Sequence, residues 1–301
     1  MRIALAYISV VLLWATTPLA IKWSGEGPGF LFAVTSRMAI GMACVLLTMA
    51  VLRRSLVGHS KAWMTYLAVA VQIYGSMIII YWSAQFIPSG WISVLFGLAP
   101  LMTALLTAVL LKEQRLSVIK LCAYGLGVGG LYIMFGSALY LGESAAFGIV
   151  GVIAATLLQS VGAVWIKRIN AGLPALTQVA GGLGLALPAY LLTWGWFDGQ
   201  WPQQLSTVNI AAIAYLGMIA TTIGFSLYYY LLTHLSATQV ALISLITPVL
   251  ALLLGHMVNH EPLTQPIIAG TAFILAALIL HEMVGRVGFS KLKRINVNKV
   301  P

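Results

Sequence analysis

The chain has 301 residues, of which 61% are hydrophobic and only 7% charged, and it carries a formal net charge of +10 at pH 7. Soluble domains hold roughly a quarter charged residues and about half apolar ones, so this composition excludes a water-soluble fold. It also excludes a basic nucleic-acid binder, because the positive charge lies in short gaps between apolar runs and not on a polar domain.

A bilayer needs about 20 apolar residues per helix. Runs of that length recur down the chain and predict spans at residues 3–21, 30–52, 62–84, 89–111, 118–135, 147–166, 174–197, 208–232, 236–258 and 265–284. The first follows Arg2 and has the outline of a signal peptide. With nine further spans behind it, it reads as a membrane helix. The second contains Arg37. Polar stripes at helical spacing mark four others: Gln72, Ser76 and Ser83 on the third, and Ser89, Ser93, Gly97, Pro100 and Thr107 on the fourth. Thr156, Gln159, Ser160, Ala163 and Lys167 follow on the sixth, then Thr222, Ser226 and Tyr229 or Tyr230 on the eighth. Such residues either line a passage or simply let helices pack.

Three signals point away from other chemistry. Gly125, Gly127 and Gly130 spell GxGxxG, but a strand must precede that motif for nucleotide binding and none does. Gly125 and Gly129 are instead spaced for close helix contact, which makes the fifth span a candidate packing or dimer face, as is the tenth. His256 and His260 beside Glu261 lack a third metal ligand. Cys44 and Cys122 lie inside spans as small hydrophobes. No cofactor is expected, and no nucleophile and base or metal cluster supports the rival class of membrane-embedded enzyme or sensor.

Charge fixes the expected topology. With a cytoplasmic N-terminus, fourteen of the sixteen basic residues fall on the inner side: Arg2, Arg53, Arg54, Lys61, Lys112, Arg115, Lys120, Lys167, Arg168 and five in the tail after Glu282. Lys22 and Arg37 lie within helix ends, while Glu26, Glu143, Asp198 and Glu261 fall outside. The positive-inside rule therefore predicts ten helices with both termini cytoplasmic, in an inner membrane.

Residues 89–113 align without gaps to 237–261, matching Pro100 to Pro248 and Glu113 to Glu261, and the same offset pairs Tyr81 with Tyr229. A slightly smaller offset pairs Lys22 with Lys167. This predicts a five-helix unit used twice, at 1–136 and 147–285, followed by a basic cytoplasmic tail at 286–301. An odd number of spans inverts the second copy, an arrangement from which secondary transporters build alternately open gates. Trp14 to Lys22 on the first span, Arg37 on the second, and the twice-used step from Pro to Glu together resemble the EamA group of the drug/metabolite transporter superfamily. The resemblance covers nearly the whole chain and implies ten helices, a central cavity, spans 5 and 10 at the periphery, and export of amino acids or related metabolites. Ala15 replaces the Gly common after this Trp, and Gln159 stands where the repeat would place a second Trp.

Candidate substrate contacts are Trp14, Arg37, Gln72, Tyr81, Ser93, Gln159 and Tyr229; candidate gate or hinge residues are Lys22, Pro100 and Pro248. Arg37 either grips a substrate carboxylate through paired hydrogen bonds or satisfies carbonyls of a neighbouring helix. No acid falls mid-span, which disfavours a permanently cationic solute and favours a zwitterionic, anionic or neutral one. Glu113 and Glu261, at span ends, are expected to pair with bases or cap neighbouring helices. Efflux of drugs or other amphipathic metabolites is the alternative. The expected partners are a small-molecule substrate and the lipid bilayer, with no nucleic acid.

Overall fold

The computed structural model describes residues 2–111, 117–139, 142–224, 227, 231, 234, 235 and 243–297. Among them it contains helices and no strand. They are α1 (Arg2–Gly25), α2 (Phe30–Val51), α3 (Ser60–Ser83), α4 (Ser89–Leu110), α5 (Val118–Leu139), α6 (Glu143–Ile169), α7 (Ala175–Phe197), α8 (Thr207–Ile223), α9 (Ile243–Asn259) and α10 (Gln265–Val297). Eight of these are long and apolar enough to cross a membrane, and α8 and α9 are shorter apolar helices over the residues described. Most described helix ends fall within three residues of the hydropathy prediction; α1 and α5 run four residues further at their C-terminal ends, α6 starts four residues earlier and ends three later, and α10 continues to Val297, thirteen residues past the expected end and through most of the expected basic tail.

Neighbouring helices follow the order α3, α7, α2, α8, α1, α9, α4, α6 and back to α3. Each adjacent pair joins a helix from residues 2–110 to one from residues 143–259. The pair α5 and α10 packs mainly on itself. These two are the least covered spans, with 22% and 33% of their apolar windows buried against 39–44% for the other six.

In lipid there is no hydrophobic drive between helices, so close contact depends on small residues. Gly75 meets Leu158 and Gly162 meets Gln72 where α3 crosses α6, and Gly41 and Gly217 bring α2 against α8. Between α3 and α7, Gly181 faces the ring of Tyr66 and Gly182 faces Val69. Tyr66 is 2% exposed, and its hydroxyl both donates to the carbonyl of Val57 and accepts from its N–H, each at 3.0 Å. The ring therefore has no room to yield. Gly181→Ala is expected to cost about 1–3 kcal/mol by overpacking, measured as a lower thermal midpoint in detergent. Gly125→Ala, where nothing lies within 4 Å, should leave that midpoint unchanged or higher.

Of the two glycines expected at a close contact, Gly125 faces open space and Gly129 meets α10, while the closest approach of the two helices is at Gly130. Gly127 faces Leu98, Leu101 and Ala277, and Gly130 abuts the Gly270 carbonyl, while Gly129 meets only the Phe273 ring.

The two prolines act differently. Ahead of Pro100, α4 breaks into Ser89–Phe96 and Ala99–Leu110, with Leu98 N bonded three residues back to Leu95 O at 3.1 Å. Pro248 lies inside a continuous α9, buried against Gly97 at that break. In α8, Tyr215–Ile223 widens into a π-helix, a form that recurs at functional sites.

Candidate functional site

Arg37 sits about two turns into α2 and is 7% exposed. Its Nη1 donates to the Tyr81 hydroxyl at 3.5 Å, and its guanidinium carbon lies 6.0 Å from the centre of that ring. Tyr81, from the last turn of α3, is 1% exposed. The Arg37 Nε is buried without a hydrogen-bond partner. Among the described residues no carboxylate pairs with Arg37. A guanidinium held by one long bond to a phenol, with an orphaned N–H, is costly in the membrane unless an acceptor joins it.

A tyrosine shell fixes the surroundings. Tyr190 of α7 donates to the Ile73 carbonyl at 2.8 Å, the Tyr74 hydroxyl meets Thr193 Oγ1 at 2.5 Å, and Thr35 Oγ1 donates to the Tyr190 carbonyl at 3.4 Å. These bonds stitch α2, α3 and α7 around the helix turns that carry Arg37 and Tyr81. On α8, the helix next to α2, Tyr215 meets Thr16 Oγ1 of α1 at 2.6 Å. The sequence reading did not single out Tyr190, although a buried phenol two residues after Pro188 was a usable signal.

The remaining candidates separate into groups. Gln72 Nε2 donates to the Gln159 carbonyl at 3.0 Å and Ser76 Oγ reaches Gln159 Oε1 at 3.4 Å, so both glutamines join α3 to α6. Ser93 is buried in the first segment of α4. Trp14 packs half-buried with Val10, Val11 and Ile243 in a cluster between α1 and α9. Tyr229 lies outside the described residues, as do Glu113, Ser226 and Tyr230.

Lys22 belongs to a different constellation at the end of α1. Its Nζ donates to the Ile87 carbonyl at 3.2 Å and lies 3.9 Å from Glu261 Oε1. Glu261, in the connection from α9 to α10, accepts from Ser89 N at 2.9 Å, Ser89 Oγ at 3.0 Å and Gly90 N at 3.3 Å. It thus both pairs with a base and caps a neighbouring helix, as expected of this residue. His256 Nδ1 donates to the Glu261 carbonyl at 2.8 Å, and no cluster of three metal-ligating side chains forms among the described residues.

The structure is a bundle of apolar helices, eight of them long enough to cross a membrane, that buries Arg37 with no carboxylate paired to it among the described residues. Residues 1–136 and 146–282 each match the EamA-like transporter family, and the chain belongs to that family. It is 25% identical to an uncharacterized Bacillus subtilis transporter, YoaV, over 93% of this chain and 96% of that protein. A probable amino-acid metabolite efflux pump of Salmonella typhimurium is likewise 25% identical, over 71% of this chain and 74% of the pump. A crystal structure at 21% identity shares the fold with a TM-score of 0.64, covering 95% of this chain and 98% of that one.

Proposed function

We propose that this transporter exports small carboxylate-bearing metabolites, most simply amino acids, across a bacterial inner membrane by alternating access between residues 1–136 and 147–285, arranged as inverted five-helix repeats with both termini cytoplasmic. The observation that carries the substrate class is Arg37, a buried cation with an unpartnered N–H and no carboxylate paired to it among the described residues. A substrate carboxylate supplies the missing charge and acceptors in one bidentate contact, the geometry for which guanidinium is suited. The efflux-pump relative from Salmonella typhimurium supports amino acids within that class.

Further support comes from the alternation of helices around the bundle, which leaves a seam between the halves at every step. Trp14, Gln72, Tyr81, Ser93 and Gln159 serve in this reading as walls of the passage, with Pro100 and Pro248 at its hinge. Counterflow in proteoliposomes with pooled labelled amino acids tests it. Exchange of at least one carboxylate solute above the empty-liposome background is expected, and movement of only non-carboxylate compounds would refute the substrate class.

A further inference from the structure

The geometry points to Glu261 as a latch that closes the end of the bundle where α1 terminates, by gripping the first turn of α4 and the Lys22 ammonium with a single carboxylate; the inference rests on the alternating-access reading, since only a two-sided passage needs a releasable closure. The first turn of any helix presents N–H groups without intrahelical partners. In α4 the position before that turn is Pro88, whose side chain supplies no cap. Glu261 fills the need from 172 positions away, accepting from the Ser89 and Gly90 N–H groups and from the Ser89 hydroxyl. A negative charge at a helix N-terminus is further favoured by the helix dipole.

The elements joined lie in different parts of the chain. Lys22, Ile87, Ser89 and Gly90 belong to residues 1–136, whereas Glu261, Asn259 and Gly255 belong to residues 146–282. Asn259 Nδ2 donates to Glu261 Oε1 at 3.0 Å and its Oδ1 accepts from Trp23 Nε1 at 3.1 Å, which adds α1 to the clasp a second time. Glu261 is 7% exposed, so its bonds lie away from bulk water, where charge-assisted contacts are strongest. Beneath it α4 and α9 are in direct contact, Gly90 facing both the main chain and the side chain of Leu252. Because Glu261 holds groups of both parts at once, their separation at this end requires its release.

Gly255 offers a way to displace the carboxylate without removing it, because a methyl group there would collide with Glu261 Oε2. Gly255→Ala is otherwise favourable in a helix interior. The experiment uses the full chain in nanodiscs with both native cysteines replaced and Ile87→Cys as reporter, Ile87 being 1% exposed. Loss of one charged hydrogen bond corresponds to roughly a tenfold change or more in an opening equilibrium. Modification by an impermeant maleimide should accelerate by that factor in Gly255→Ala and in Glu261→Ala, while Ala123→Cys, wholly buried in α5, stays protected. Should Glu261→Ala loosen both reporters, Gly255→Ala decides the matter. Unchanged Ile87→Cys labelling in Gly255→Ala, or parallel exposure of Ala123→Cys there, overturns the latch. Labelling needs no substrate, so its failure leaves the counterflow test of the proposed function intact, and a silent solute panel leaves the labelling result standing.

Discussion

Replacing Arg37 with Gln is expected to lower counterflow of carboxylate solutes about a hundredfold, while Arg37→Lys keeps a measurable fraction. The reasoning is electrostatic. Removing one partner of a buried charge pair costs 2–5 kcal/mol, and about 3 kcal/mol is roughly two decades in binding. Lysine preserves the charge but not the planar fork, so it holds a carboxylate through fewer aligned bonds. Tyr81→Phe removes only the 3.5 Å phenol contact and leaves the ring beneath the guanidinium, which predicts a loss of less than tenfold. A purely structural role for Arg37 makes a different pattern. Transport of an uncharged analogue, such as the amide of the same solute, would then fall as far as transport of the acid. Equal losses for acid and amide would remove Arg37 from the substrate contact, whereas sparing of the amide would establish it.

How far the sequence foretold this molecule depends on whether the signal was periodic or steric. Helix positions were legible because each span must satisfy its own backbone in lipid, so apolar length alone marks it; α2 runs Phe30–Val51 against the expected 30–52, and α4 Ser89–Leu110 against 89–111. The pairing and capping role of Glu261 was legible in kind, since an acid at a span end needs cations or N–H groups, but its target was not. Ser89 is 172 residues distant and its choice depends on how the bundle closes. Polar stripes were ambiguous for a physical reason: Gln72 and Gln159 bond to each other's helices across a glycine contact, and spacing alone does not separate such packing from a cavity wall. The glycines of α5 show the same limit. Helical spacing brought Gly125 and Gly129 to notice, and Gly129 does meet Phe273 of α10, yet the backbone-to-backbone approach falls on Gly130, because the crossing of α10 and not the spacing selects the point of closest contact.

That crossing carries the largest expected structural effect. A Cβ at Gly130 would lie 2.7 Å from the Gly270 carbonyl oxygen and 3.2 Å from the Ile274 nitrogen, and a Cβ at Gly270 would lie 3.0 Å from the Gly130 carbonyl oxygen. Backbone on both sides leaves no rotamer to absorb the overlap, so a side chain at Gly130 has to push the two helix axes apart. Separation forfeits dispersion along the whole seam, including the contact of Gly127 with Ala277 and the burial of Met134 and Ile274, both at 0% exposure. Gly130→Val is therefore expected to cost more than the usual 1–3 kcal/mol of core overpacking, seen as a sharp drop in monodisperse yield and thermal midpoint in detergent. Gly136→Val, on the same helix with nothing within 4 Å, should be close to neutral. Equal behaviour of the two variants would mean that α5 and α10 do not meet through Gly130. If Gly130→Val folds, its effect on transport follows from position: α5 and α10 stand beside the ring of eight helices that carries Arg37, so flux per folded molecule should fall far less than it does in Arg37→Gln.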